Sequence, residues 1–405
     1  MGPVFSVGDK ALMMKNFRIP RLVGRGASLV ALALGLNACG GGGESASPGD
    51  GVGGEVGAPY SLATRALPAV YTSGTVKAIN YGPYRSGGPD VGEIPSVAGL
   101  REDLRLLSSY GFGLIRLFGS DAVSTSILEL AKNEFPSLKF QLGIYLRGPQ
   151  SCVADAVNDS QISTAIKLAT SYPNVVSVSV GNEPSLTSNA LLMSCMEGYI
   201  KRVKQQVSQP ITADDDASLY TAKRTFSYGG NLYSGANFLP WLDFLSIHTY
   251  PLLTYNFWPW TSYRSSAADL MTASANDAKG LYAAVRTYPF VNAAGVSTTV
   301  GAALPIVIGE TGWKTRQTNP GNPLEGAAAT PVNAKWYFDL MNAWQSEGSG
   351  PKTIFYFSAF DESWKGTDDA WGLWDKNRSP NYALCGSSVP NAPSCSTPLY
   401  SGARF

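Results

Sequence analysis

The sequence predicts a single-domain (β/α)8 barrel. From residue 76 onward, short β-rich runs alternate with amphipathic stretches, the pattern of βα units around a parallel sheet. Eight such runs fall within roughly 300 residues, which favours a closed barrel over an open doubly wound sheet. No Gly-x-Gly-x-x-Gly fingerprint follows the first run, so a dinucleotide-binding fold lacks its phosphate loop.

Taken in order, the strands are expected at 76–81, 113–118, 139–146, 175–180, 210–213, 243–249, 305–308 and 353–359, apolar or β-branched runs bounded by turn residues. Helices are expected at 97–110, 124–133, 160–171, 190–206, 267–287 and 332–347. The fifth connection, 217–242, is Gly-rich and lacks a helical period, so its helix is expected to be short or absent.

Residues 1–39 read as a targeting segment. Lys10, Lys15, Arg18, Arg21 and Arg25 precede an apolar run over 27–36 that is too short to span the roughly 30 Å hydrocarbon core. Leu36-Asn37-Ala38-Cys39 resembles the bacterial lipobox, with Asn37 its one departure, and marks Cys39 for lipidation. Met14 is an alternative start to Met1, because 14–38 alone has signal-peptide proportions. Residues 40–70 are assigned to a tether, since Gly40 to Ala58 holds too little large apolar surface to order itself. The barrel domain is assigned to 71–405.

The 31 basic and 30 acidic residues give a net charge of +1, with no Lys/Arg run that would suggest nucleic acid. A neutral ligand fits better, and an aromatic content of 11% suits a groove lined with rings. Setting Cys39 aside leaves Cys152, Cys195, Cys385 and Cys395, which allow three pairings in an exported protein. Cys152 with Cys195 and Cys385 with Cys395 are favoured, the first tying two loops after neighbouring strands and the second closing a small loop. The cysteine spacing is wrong for zinc and the sole histidine is His248. Asp214 to Asp216 run consecutively and so do not all face one ion. Neither a metal nor a cofactor is expected.

In such barrels the active site lies at the C-terminal strand ends. Strand four ends in Gly181-Asn182-Glu183-Pro184 and strand seven in Gly309-Glu310-Thr311-Gly312-Trp313, so two carboxylates are carried to the same rim. Paired carboxylates are what glycosidic bond cleavage requires.

These motifs resemble glycoside hydrolase family 17, the β-1,3-glucanases, within a clan of retaining (β/α)8 glycosidases. The resemblance covers about residues 76–376. Further matches are Ile79-Asn80-Tyr81-Gly82-Pro83, Ile115-Arg116-Leu117, His248-Thr249-Tyr250-Pro251, and Phe360-Asp361-Glu362-Ser363-Trp364-Lys365 before Trp371-Gly372-Leu373. Ser363, where related bacterial sequences often have Pro, and Asp369, where plant members tend to have Glu, depart from the pattern.

The resemblance implies Glu183 as acid/base and Glu310 as nucleophile, with Asn182 on the sugar 2-hydroxyl, Tyr250 and Arg116 beside the nucleophile, and Glu362 with Lys365 near both carboxylates. Tyr81 is placed with the substrate-binding residues. Trp313, Trp364 and the cluster Tyr255, Phe257, Trp258, Trp260 and Tyr263 are candidate sugar platforms, because the apolar face of a pyranose stacks on a ring. His248 reads as a structural strand-end histidine.

The expected protein is thus an exported monomer with no membrane contact beyond its lipid anchor, sorted to the outer membrane in a two-membrane host because Gly40 rather than Asp follows the cysteine. Its partner is a β-glucan chain and its reaction retaining hydrolysis. A β-1,3-glucan transglycosylase is the alternative, and a non-catalytic glucan-binding lipoprotein the second alternative; the latter would not require the carboxylate pair.

Overall fold

The computed structural model describes residues 60–252, 267–317, 328–366 and 369–395. Cys39 and the aromatic cluster from Tyr255 to Tyr263 lie outside the described residues.

Eight parallel strands close into a barrel: β1 (Lys77–Asn80), β2 (Phe112–Leu117), β3 (Lys139–Ile144), β4 (Val175–Asn182), β5 (Ile211–Asp216), β6 (Leu245–His248), β7 (Ile306–Thr311) and β8 (Ile354–Tyr356). Chain order is spatial order, and β8 pairs back onto β1 through Ala78 with Phe355 and Ile79 with Tyr356. Six long helices accompany them among the described residues: α1 (Val97–Ser109), α2 (Ala122–Glu134), α3 (Ala156–Ser171), α4 (Ala190–Lys204), α5 (Ala267–Arg286) and α6 (Pro331–Ser346). Five begin at a side-chain cap: Ser96, Asp121, Asp155, Asn189 and Thr330 each accept from a backbone N–H three residues on. Such a cap stabilises a helix by about 1 kcal/mol. The fifth connection carries only short turns, Ser218–Thr221 and Gly235–Phe238, around the hairpin Phe226–Tyr228 with Asn231–Tyr233.

The main apolar core fills the layer between strands and helices. A smaller cluster of Tyr71, Ala78, Leu114, Phe244, Val307 and Phe355 gathers at the starts of the strands. Tyr71 also reaches a polar barrel interior, donating to Gln141 Oε1 at 2.8 Å and meeting Ser177 Oγ at 2.5 Å. The compact domain begins at Tyr60, so it takes in residues 60–70 of the stretch assigned to the tether. Arg65 explains the earlier boundary, since its guanidinium donates to the Lys204 and Gln209 carbonyls while its backbone N–H donates to the buried Asp243 carboxylate.

Both favoured disulfides are present, Cys152–Cys195 and Cys385–Cys395, closing loops of 43 and 10 residues. By loop entropy they stabilise by roughly 4 and roughly 3 kcal/mol.

Candidate active site

The two glutamates reach the barrel mouth on irregular strand ends. Pairing slips between Ser179 and Asn182 where β4 meets β5, and between Ile308 and Glu310 where β7 meets β6. A slip of this kind re-aims the following side chain. Gly181 takes φ 89° within the first irregularity, and Glu183 itself adopts left-handed φ 49°, ψ 45°. For a residue with a side chain that conformation costs about 1–3 kcal/mol.

Between the carboxylates stands His248, fully buried, its Nδ1 2.9 Å from Glu183 Oε1 and 3.7 Å from Glu310 Oε2. One oxygen of each glutamate and a ring nitrogen of His248 all lie within 4.8 Å of one another. Burial works against a charged imidazole, yet Glu310 and Glu183 outweigh it and raise His248 from 6.5 to about 9. His248 Nδ1 lies within hydrogen-bond distance of Glu183 Oε1, so this nitrogen is taken up by the carboxyl.

Glu310 is 5% exposed and fully ligated: Arg116 Nη1 donates to Oε1 at 2.6 Å and the Tyr250 hydroxyl to Oε2 at 2.6 Å. Burial alone would raise this carboxyl, but His248, Arg116 and Tyr250 together hold it below the usual glutamate range. Glu183 has the opposite bias. Burial raises it, and the charge of Glu310 adds to that, against the lowering effect of the His248 hydrogen bond. Two groups of one type are thus pushed apart, one toward a proton donor and one toward an anion.

Arg116 is 1% exposed and lies beneath the site, not in the cleft. Its Nε donates to Asp214 Oδ2 at 2.7 Å, Nη1 also to Asn80 Oδ1 at 2.8 Å, and Nη2 to Asn182 Oδ1 at 2.6 Å. Gln141 donates through Nε2 to Asp214 and accepts at Oε1 from Tyr71, so a buried polar chain runs from Tyr71 through Gln141, Asp214 and Arg116 to Glu310. Asp214 Oδ2, Asp215 and Asp216 point to different partners, Arg116, Ser185 and the Ser218 N–H, as alternation along a strand requires.

Tyr250 stands beside Glu310, and Asn182, next to Glu183 in the chain, accepts from Arg116. Glu362 and Lys365 form an ion pair on the loop after β8, and the approach of Glu362 requires Gly82, where a Cβ would sit 2.2 Å from Glu362 Oε1. Trp364 lies against Gly88, meets Tyr84 edge-on at 5.9 Å between centroids, and has Lys365 Nζ 5.1 Å from its ring centroid.

Two expected substrate contacts are corrected. Trp313 is 0% exposed, donates through Nε1 to the Ala328 carbonyl and packs on Tyr337 of α6, so no sugar reaches its ring. Tyr81 is 1% exposed and donates to Asp103, itself clamped by Arg85 and Arg378 behind the barrel. Arg116 stands beside Glu310, as the resemblance implies.

Sequence reasoning missed His248 as a member of the site, and it missed Asn80 and Asp214. Lone polar residues inside apolar strands were their signal, because an inward polar group in a barrel must find a partner.

The sequence model of the BtgE/BtgC glycoside hydrolase domain matches residues 78–374, nearly the whole barrel. The chain belongs to the BtgE/BtgC glycoside hydrolases. This glycosidase is similar in structure to an endo-laminarinase from Formosa Hel1_33_131, with 22% identity, TM-score 0.61, and coverage of 80% of this chain and 91% of that one. It is also similar to a family 17 β-1,3-glucanosyltransferase from Rhizomucor miehei, at 19% identity and TM-score 0.54 over 79% of this chain and 99% of that one. An active-site mutant of the Rhizomucor protein in complex with laminaritriose matches at 17% identity and TM-score 0.54, again over 79% and 99%. At these identities the likeness is one of fold. No curated protein matches the sequence.

Proposed function

We propose that this glycoside hydrolase cleaves β-1,3-glucan by a retaining double displacement, with Glu310 as nucleophile and Glu183 as acid/base. The observation that carries the reading is the pair itself: carboxylate oxygens within 4.8 Å, one group biased toward its anion and the other toward its acid. Retaining enzymes separate these groups by about 5–5.5 Å, inverting ones by about 6.5–9.5 Å. In the first step a Glu310 oxygen bonds to the anomeric carbon while the glycosidic C–O bond breaks, and Glu183 passes its proton to the departing oxygen. In the second, water attacks the same carbon, Glu183 takes back a proton, and the ester to Glu310 breaks. Arg116 and Tyr250 keep Glu310 ionised. His248 holds one Glu183 oxygen and leaves the other to carry the proton.

The β-1,3-glucan assignment draws on the fold relatives, one an endo-laminarinase and one a β-1,3-glucanosyltransferase seen with laminaritriose. A sugar hydroxyl in place of water would make the same intermediate a transglycosylation donor. Mass spectrometry of laminarin digests, with and without added laminaribiose, tests both. Shortened laminari-oligosaccharides are expected, and acceptor-extended chains measure transfer. Release from a β-1,4-glucan with none from laminarin would contradict the assignment.

A lipid anchor at Cys39, following a signal over 1–38, is part of the same proposal. It places the enzyme at the cell envelope.

A further inference from the structure

We propose that Asp215 is a positioning residue for Glu183, acting through Ser185. The inference rests on the acid/base role proposed for Glu183 and names what keeps that carboxyl aimed.

Glu183 sits in a left-handed conformation that an unconstrained chain would leave. Its carboxyl meets His248 at 2.9 Å only while the backbone stays there. The restraint comes from consecutive residues of β5. On the N-terminal side the Glu183 N–H donates to the Asp214 carbonyl at 2.9 Å. On the C-terminal side Ser185 is held by the Asp215 carboxylate, its Oγ donating to Oδ1 at 2.5 Å and its N–H to Oδ2 at 3.2 Å. The Asp216 N–H donates to Oδ1 at 2.8 Å and fixes the carboxylate in turn. Pro184 and the 3-10 turn Pro184–Thr187 transmit the restraint across two bonds of backbone.

Asp215 and Ser185 are both fully buried. A carboxylate in that position is costly to desolvate, and packing alone would be served by an apolar side chain. All three hydrogen bonds it accepts go to Ser185 and its own neighbour, so its structural reach is the Glu183 turn and little else.

The test uses the full-length protein with Asp215→Asn and Ser185→Ala. In Asp215→Asn an NH2 group replaces one carboxylate oxygen and so removes an acceptor from the Ser185 and Asp216 donors; Ser185→Ala removes the Oγ contact without altering the acid. Each variant is assayed for kcat/KM on laminarin, whose leaving oxygen needs a proton, and on 2,4-dinitrophenyl β-laminaribioside, whose leaving group does not. A displaced acid should lower the first by roughly tenfold, part of the 10²–10⁴ that acid/base catalysis supplies, and leave the second within about twofold. Azide should raise kcat on the activated substrate by capturing the ester without base help. Parallel losses on both substrates, or no loss on either, overturn the proposal. Should Asp215→Asn not fold, Ser185→Ala alone decides by the same comparison. Glu183→Ala separates the two levels of the account: if it shows no dependence on the leaving group, the acid/base assignment fails whatever Asp215 does.

Discussion

Arg116 donates to Glu310 at 2.6 Å and, through its Nε, to Asp214 at 2.7 Å, so one buried guanidinium bridges two carboxyl groups on different strands. With both partners and the arginine at 5% exposure or less, removal leaves uncompensated charge. Arg116→Ala should therefore destabilise the fold by about 3–5 kcal/mol, read by denaturant unfolding. A loss under about 1 kcal/mol would show that the barrel interior tolerates the unpaired acids.

Tyr250 makes the other bond to Glu310, and losing a hydrogen bond to a charged group costs about 1.5–3 kcal/mol. Tyr250→Phe should lower kcat/KM on laminarin by roughly ten- to a hundredfold. The pH profile should change with it. Glu310 must be ionised to attack and lies below its ordinary 4.5, while Glu183 must be protonated and lies above it, so activity forms a plateau between the two. Without Tyr250 the acid limb should move to higher pH while the alkaline limb stays. An unmoved acid limb would disconnect Tyr250 from the charge on Glu310.

His248 links the site to stability. It faces Glu183, Glu310 and Arg116, and its folded pKa of about 9 exceeds the ordinary 6.5. The stabilisation from its proton is therefore complete below 6.5 and is lost as pH rises through about 9; Glu183, also raised, acts in the same sense. Unfolding free energy should fall by about 2–3 kcal/mol across that window, and His248→Asn should flatten the slope. A wild-type profile flat from about pH 6.5 to 9 would contradict a charged His248.

The strand pattern carried most of the fold, since apolar runs bounded by turn residues located each barrel strand to within a few residues. Glu183 and Glu310 were legible because a carboxylate just past an apolar run has few structural uses. Tyr81 was also readable and was misplaced: with Asn80 inward, alternation sends Tyr81 outward to Asp103. Trp313 could not be assigned from local sequence, because a ring after a strand end looks the same whether it faces the cleft or packs on Tyr337 of α6. The role of His248 depended on distance to two residues far apart in sequence, Glu183 and Glu310, and no spacing along the chain encodes that.

The proposed envelope anchor makes its own prediction. Cys39→Ser should move the protein from the membrane fraction to the soluble fraction and leave kcat/KM unchanged, because the change falls before the compact domain that begins at Tyr60. Intact mass of the mature wild-type chain without acyl groups would rule the anchor out.

The central claim is that Glu310 attacks the anomeric carbon and Glu183 serves as acid and then base. Two inversions at one carbon restore the starting configuration. Proton NMR recorded in the first minutes of laminari-oligosaccharide hydrolysis, before mutarotation, reads the outcome directly. The β anomer should appear first; the α anomer appearing first would contradict the nucleophile assignment and the double displacement with it.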